Sequence, residues 1–302
     1  MAAAAVILAS ALVVAGCSST TSAESAGSTA PTCPTTAIPI TASIDQWGNI
    51  VEQLAGQCAT VSTVVTAASG DPHDYQPTTG DIAQFTKAKL VVVNGVGYDE
   101  WAAKSVQANN SGVDVVDAAA VNSVQSGANP HLWYNPDYVT ATANAVTAAL
   151  KTLLPEASSY FDQQQADFQT AMTPYFAEIS TIKAGATGKT YGATESVFDY
   201  MAEAVGLTDL TPQGYQNAVT NESDPGPGDI AAFNENLTSK KMDVLIFNVQ
   251  TEGSVPNQLA ATANSAGVPV VDVTETMPAD ATSFQQWQIA QLQSLSQALG
   301  VS

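Results

Sequence analysis

The sequence contains no arginine, and its eight basic residues are all lysines, against 28 aspartates and glutamates. Phosphate contacts need clustered Lys or Arg, so a formal net charge of −20 argues against a nucleic-acid-binding function. The same charge disfavours direct attraction to an anionic membrane surface. An acidic surface first of all promotes solubility. The 302 residues, 45% of them hydrophobic, suffice for a buried core and for two lobes of ordinary domain size.

Cysteine is also rare, and the first of the three cysteines, Cys17, closes an apolar run over residues 2–16. The run is too short to span a bilayer and is typical of a secretory signal, although no Lys or Arg precedes it. Its last residues, Val14-Ala15-Gly16-Cys17, resemble the cleavage box of bacterial lipoproteins, in which the cysteine carries the lipid. An ordinary signal with a coincidental cysteine is the alternative. The prediction is an extracytoplasmic protein, lipid-anchored to the outer face of the cell membrane.

The other two cysteines are Cys33 and Cys58. If Cys17 carries the lipid, these two remain as a pair, and exported compartments allow disulfides to persist. The sequence therefore predicts a disulfide between them, with a metal-binding role for the thiols as the alternative. A Ser/Thr-rich stretch over residues 18–35 is typical of a flexible tether.

Short apolar runs alternate with helical patterns through the rest of the chain. This alternation predicts an α/β fold with two lobes, each a mainly parallel β-sheet flanked by helices. A stretch with few helix breakers predicts one long helix joining the lobes. The predicted divisions are a lipoprotein signal at 1–17, a tether at 18–35, an N-terminal lobe at 36–155, a linker helix at 156–185 and a C-terminal lobe at 186–302.

The chain has only two histidines, His73 and His131, and they lie in matching frames. Each follows Asp-Pro or Asn-Pro and precedes an aromatic residue and a further proline. Proline restricts the backbone, so both loops are stiff on either side of the imidazole. Stiff loops that carry an imidazole suit a preorganised metal site. Two histidines in the same frame therefore predict two ligands of one metal ion.

Carboxylates are the natural complement to two imidazoles at such a site. Glu195 lies at a strand-to-helix junction, and Asp272 and Glu275 lie near the end of another predicted strand. Ligands of parallel sheets bind outside the carboxyl ends of the strands, where these acids fall. For each acid alone the alternative is a helix cap or a solvated charge, and for Asp272 this alternative fits as well as the ligand role.

From about Ile38 to Leu299 the chain resembles the metal-specific solute-binding proteins of bacterial ABC importers, the manganese- and zinc-binding lipoproteins of the cluster A-I, or cluster 9, family. The resemblance depends on the order and spacing of several segments, which are Asp71-Pro72-His73 with Tyr75 and Pro77, Lys87 to Gly95, Asn129-Pro130-His131-Leu132-Trp133, Phe198-Asp199-Tyr200, and Asp224-Pro225 to Asp229-Ile230.

The resemblance implies two lobes bridged by one rigid helix, with one metal ion between the lobes and two ligands from each lobe. His73 and His131 match the first two ligands, and Glu195 falls where the family has His or Glu. Glu275 falls where the family has Asp or Glu, which favours it over Asp272. The third histidine and His-rich loop of many zinc-type members are absent from the sequence. The set therefore resembles that of manganese-type members, and Mn²⁺ is favoured over Zn²⁺, although zinc has the higher intrinsic affinity for most sites.

The resulting prediction is a non-enzymatic, monomeric carrier that delivers Mn²⁺ or Zn²⁺ to an ABC permease in the cytoplasmic membrane. A zinc-dependent extracellular hydrolase is the main alternative, because His and carboxylate ligands also build catalytic zinc sites. The sequence lacks the HExxH and GxSxG motifs, which disfavours that alternative. A surface adhesin stabilised by its metal is the third reading.

Overall fold

The computed structural model describes Met1 and residues 32–69, 75–110, 112–221, 223–251 and 253–301. The chain divides into two units, Met1–Pro31 and Thr32–Ser302. Two predicted sites, Cys17 for lipidation and His73 for metal, lie outside the described residues. Within the described ranges, no helix combines the length and the apolar character needed to cross a membrane.

The first half of the large unit alternates strands with helices. Its elements in chain order are β1 (Ile38–Ile44), α1 (Asp45–Ala55), β2 (Ala59–Val65), α2 (Thr79–Lys87), β3 (Leu90–Val93), α3 (Glu100–Asn109), β4 (Asp114–Asp117), α4 (Ala118–Val121) and α5 (Pro136–Leu153). The four strands are parallel and lie in the order β2-β1-β3-β4. All four residues of β3 are buried, as expected of a strand covered by helices on both faces.

The second half repeats this arrangement after the long helix. Its elements are α6 (Ser158–Gly185), β5 (Thr190–Ala193), α7 (Asp199–Val205), β6 (Thr208–Asp209), α8 (Gln213–Thr220), α9 (Pro227–Thr238), β7 (Val244–Asn248), α10 (Ser254–Ala266), β8 (Val270–Val273) and α11 (Phe284–Leu299). Its strands are also parallel, in the order β6-β5-β7-β8. Counted along the chain, both sheets thus have the same strand order. The predicted α/β class with two parallel, helix-flanked sheets is confirmed.

The long helix α6 connects the two halves. Its 28 residues extend about 42 Å at 1.5 Å per residue, and it packs against α1, α5, α7 and α11. One continuous hydrophobic core joins buried side chains of both halves, among them Trp47, Trp133, Phe161, Phe198 and Trp287. A smaller second core lies entirely in the second half. The exact domain boundaries stay a prediction.

A disulfide joins Cys33 to Cys58, whose Cα atoms are 5.1 Å apart. Cys58 is fully buried immediately before β2, at the amino end of that strand. Closing a loop of 25 residues stabilises the fold by about 3 kcal/mol in the chain-entropy model. Because the two sulfur atoms are bonded to each other, these cysteines are not metal ligands in this structure.

Candidate metal centre

His131 is held in a turn that leads into α5. His131 is only 3% exposed, and the next three residues, Leu132–Tyr134, form a 3₁₀ turn. Asn135 then caps α5 by accepting hydrogen bonds from two backbone N–H groups, with Pro136 in the first turn. The imidazole meets the Trp133 ring edge to face at a centroid distance of 5.4 Å. The turn and its cap therefore fix the position of the imidazole.

The side chain of Asn129 determines which nitrogen of His131 faces the site. Its Oδ1 lies 2.7 Å from Nδ1 of His131, and its Nδ2 donates to the backbone oxygen of Ser196 at 2.7 Å. The second contact fixes the orientation of the amide, so the atom facing Nδ1 is an acceptor. Nδ1 must therefore carry the proton in the uncharged ring, so that the lone pair lies on Nε2, the nitrogen that faces Glu275.

Glu275 lies next to this nitrogen. It follows β8, is 3% exposed, and places Oε1 3.4 Å from Nε2 of His131. Two ligands of a tetrahedral ion with bonds of 2.0–2.1 Å are separated by about 3.3–3.4 Å. The His131–Glu275 pair thus has the spacing of two ligands on one edge of such a site.

Polar contacts from both halves hold Glu275. Tyr98 donates its hydroxyl hydrogen to Oε1 at 2.7 Å, and Gln46 donates to the backbone oxygen at 2.6 Å. Oε1 of Gln250 accepts from the backbone N–H groups of Glu275 and Thr276 at 2.6 and 2.9 Å. These contacts fix the loop after β8 from two sides.

Glu195 follows β5 and is partly buried. Nδ2 of Asn248 donates to its Oε2 at 2.5 Å. Burial raises the pKa of the Glu195 carboxyl above its usual value, the hydrogen bond from Asn248 lowers it, and the negative charge of Glu275 raises it. Within the described ranges, no three His, Cys, Asp or Glu side chains lie close enough together to hold a metal ion. The structure thus brings His131 and Glu275 together, while Glu195 is held by Asn248.

The other predicted residues differ in their placement. Asp272 is exposed within β8 and pairs with Phe247 in the sheet. Tyr75 is the first described residue after His73. Its hydroxyl donates to Asp81 at 2.8 Å, which anchors the end of that loop on α2.

The two halves support their predicted ligands in similar ways. Asn94 follows β3, and Asn248 ends β7, which is the equivalent strand of the second sheet. Nδ2 of Asn94 donates to the backbone oxygen of Pro130 at 2.8 Å, directly before His131, while Asn248 donates to Glu195. Each asparagine therefore fixes a ligand loop of its own half.

Sequence reasoning did not identify Tyr98, Gln46 or Gln250 as residues of this site. Gln46 follows β1 by two residues, and Gln250 follows β7 by two residues. Polar residues immediately after parallel strands meet at one edge of the sheet. For these two glutamines, the position just after a predicted strand was the signal in the sequence that could have identified them.

Replacing Asn129 with alanine is expected to weaken metal binding by about 10–100-fold, because the partner that sets the His131 tautomer is lost. Titration of the metal-free protein against a chromophoric chelator measures this change. Asn144→Ala, which removes an exposed amide from α5, is the matched control and should bind as the wild type does. Equal affinity of the Asn129 and Asn144 variants would contradict the positioning role.

Comparisons with known proteins agree with this architecture. The family model described as zinc-uptake complex component A, periplasmic (ZnuA) matches residues 40–298. The manganese-binding lipoprotein MntA of Halalkalibacterium halodurans is 27% identical over 211 residues, 67% of each chain. The manganese ABC transporter substrate-binding lipoprotein PsaA of Streptococcus pneumoniae is 22% identical over 240 residues, 74% of each chain. The solved structure of the periplasmic zinc-binding protein TroA from Treponema pallidum superimposes with a TM-score of 0.72 at 17% identity, covering 87% of this chain and 99% of that one.

Proposed function

The chain belongs to the ZnuA family of periplasmic zinc-uptake components, and on that premise we propose that it captures one divalent transition-metal ion outside the cytoplasm for a membrane permease. The observation that carries the proposal is the buried contact between Nε2 of His131 and Oε1 of Glu275 at 3.4 Å. A nitrogen and an oxygen ligand at this spacing suit a small divalent cation. The family consists of transport components that bind a substrate, which favours binding over catalysis at this site.

The proposed ligands are His73, His131, Glu195 and Glu275. Support for Glu275 over Asp272 comes from its burial beside His131, whereas Asp272 is exposed. Support for Glu195 comes from its place after β5, at the carboxyl edge of the second sheet, and from its electrostatic interaction with both His131 and Glu275. The resemblance of the two histidine frames supports His73.

The proposed cargo is Mn²⁺ or Zn²⁺. Relatives are named for manganese, and the family description names zinc. Two imidazoles and two carboxylates bind either ion, and the intrinsic affinity of such a set is higher for zinc. Which of the two ions the protein carries then also depends on the concentrations of Mn²⁺ and Zn²⁺ outside the cytoplasm.

Delivery is proposed to depend on a lipid at Cys17, which keeps a monomeric protein at the outer face of the cytoplasmic membrane, beside the permease of an ABC importer. The lipoprotein-type box at residues 14–17 supports the lipid, and the names of the relatives describe lipoproteins of ABC transporters. The acidic chain itself has little electrostatic attraction to an anionic membrane, so a lipid supplies the attachment.

Calorimetric titration of the metal-free full chain with Mn²⁺ and with Zn²⁺ tests the proposal. We expect the chain to bind one ion of at least one of these metals. We also expect the same metal to be present in protein that is purified without chelators. The double variant His73→Ala, His131→Ala should lose this binding. A wild type that binds neither ion would refute metal capture, and unchanged affinity in the double variant would refute the site.

A further inference from the structure

Helix α1 carries polar side chains that contact the second half of the protein. Asp45 and Asn49 lie four residues apart, on one side of this helix. Oδ1 of Asp45 accepts the backbone N–H of Met277 at 3.3 Å, and Oδ1 of Asn49 accepts that of Phe284 at 2.8 Å. Both bonds therefore join a helix of the first half to the segment that follows β8, in which Glu275 lies.

Gln53 lies a further four residues along the same side of α1. Its side-chain amide and that of Gln285 exchange two hydrogen bonds, at 3.1 and 2.8 Å. Nε2 of Gln53 also donates to Oδ1 of Asn49 at 2.8 Å. Gln285 is only 4% exposed, and a buried amide without partners would destabilise the fold. Asn49 and Gln53 thus belong to one hydrogen-bonded group that includes the beginning of α11.

The contact of Asn49 with Phe284 completes the cap of α11. Phe284 is the first residue of that helix, and the N–H groups of a first turn have no acceptor within their own helix. Ser283 accepts the N–H of Gln286 at 3.1 Å, as a capping residue of the same chain segment does. Asn49 accepts the N–H of Phe284 from the other half of the protein. The beginning of α11 is therefore fixed on α1.

Helix α11 in turn holds the residue that precedes Glu275. Nε1 of Trp287 donates to Oγ1 of Thr274 at 2.8 Å, and Oε1 of Gln291 accepts the backbone N–H of Thr274 at 3.0 Å. Trp287 and Gln291 are both buried, so water competes little for these bonds. A continuous series of contacts thus leads from Asn49 through α11 to the residue next to Glu275.

We propose, on the basis of the proposed function, that Asn49 is a positioning residue that raises metal affinity by fixing the beginning of α11 and thereby holding Glu275 beside His131. Asn49 and His131 both lie in the first half, so this contact fixes a ligand of the second half relative to a ligand of the first. A ligand that is already in place loses less conformational freedom when the metal binds, and the affinity is higher for that reason.

The test compares two substitutions of Asn49 in the full chain. Asn49→Ala removes the oxygen that accepts from Phe284 and Gln53, whereas the carboxylate of Asn49→Asp still accepts both bonds. We expect Asn49→Ala to weaken the binding of Mn²⁺ and Zn²⁺ by about fivefold, the factor that corresponds to one hydrogen bond of ordinary net strength. Asn49→Asp should bind within about twofold of the wild type, because the bonds remain. Competition with a chromophoric chelator measures both affinities.

Amide hydrogen exchange of the metal-free wild type tests the contact without any variant. After correction for intrinsic rates, the N–H of Phe284 should exchange at least about tenfold more slowly than that of Ser254. Ser254 is also the first residue of a helix, α10, but it is exposed, and no side chain among the described residues caps that helix. Exchange of Phe284 as fast as that of Ser254 would overturn the proposal.

Asn144→Ala, on the exposed face of α5, is the matched control for Asn49→Ala and should bind metal as the wild type does. Equal affinities of the Asn49→Ala and Asn144→Ala variants would overturn the proposal. Weakened binding that Asn49→Asp does not restore would also overturn it, because the loss would then not come from the accepting oxygen. A wild type that binds no metal at all would instead refute the proposed function.

Discussion

Replacing Glu275 with glutamine is expected to weaken binding of both Mn²⁺ and Zn²⁺ by at least about 100-fold. Losing a residue that hydrogen-bonds to a metal ligand already lowers metal affinity by about 10–100-fold. The Glu275→Gln change removes the charge of a proposed ligand itself. Glutamine has nearly the same shape, so the backbone contacts to Gln46 and Gln250 remain available. The amide oxygen also still accepts from Tyr98.

Because those contacts remain, the metal-free variant should fold as the wild type does, and its thermal unfolding checks this. Chelator competition measures the affinity. Glu235→Gln, on the exposed surface of α9, makes the same chemical change away from the site and should leave affinity within twofold. If Glu275→Gln and Glu235→Gln bind metal equally well, Glu275 is not a ligand, and exposed Asp272 becomes the next residue to replace.

Strands with a clear composition were predicted closely from sequence. The sequence predicts strands at Leu90–Val93 and at Thr190–Ala193, and the structure has strands at those residues. Leu90–Val93 consists only of apolar residues, three of them β-branched, which favours a buried strand. The long helix, predicted at 156–185, is observed at Ser158–Gly185. The two halves also share a sequence pattern, Pro77-Thr-Thr-Gly-Asp81 and Pro225-Gly-Pro-Gly-Asp229. These segments lie at the starts of α2 and α9, and each helix precedes the equivalent strand of its sheet.

Elements that depend on tertiary contacts were missed. Helix α3 (Glu100–Asn109) has an alternation of small and polar residues without a capping side chain, since Asp99 is engaged with the β3 loop. Strand β6 has two residues, and only its pairing with β5 defines it. Neither carries a local signal strong enough to be read from the chain alone.

The candidate metal site also has some features that the sequence predicts and others that depend on tertiary contacts. The frame around His131 is local, so it could be recognised in the sequence. The contact of Tyr98 with Glu275 spans 177 positions, and that of Gln46 with the Glu275 backbone spans 229. Such pairs depend on how the two halves pack, and no local pattern encodes them. The residues proposed to hold the metal were therefore accessible from sequence, whereas the long-range contacts of Tyr98 and Gln46 with Glu275 were not.

Asp199 is a site where a substitution is expected to increase stability strongly. It starts α7, where it accepts from the hydroxyl of Tyr191 at 3.1 Å, and Gln216 links it to a second carboxylate, Asp209. Burial, together with the charge of Asp209, raises the pKa of Asp199 from 3.8 to about 6. The ionised carboxylate thus destabilises the folded state. We expect Asp199→Asn to increase the free energy of unfolding at pH 7 by up to about 3 kcal/mol.

The pH dependence identifies the cause of this gain. Below about pH 4, Asp199 is protonated in both the folded and the unfolded chain, so the variant has no advantage there. Between about pH 4 and 6 the unfolded chain releases the proton first and the wild type loses stability relative to the variant; above pH 6 the full difference is present. Chemical denaturation of metal-free protein across this range measures the difference. Asp167→Asn, on an exposed face of α6, should change stability by less than about 0.5 kcal/mol at every pH. A gain for Asp199→Asn that is the same at pH 4 and pH 7 would show that amide packing, and not removal of a buried charge, is responsible.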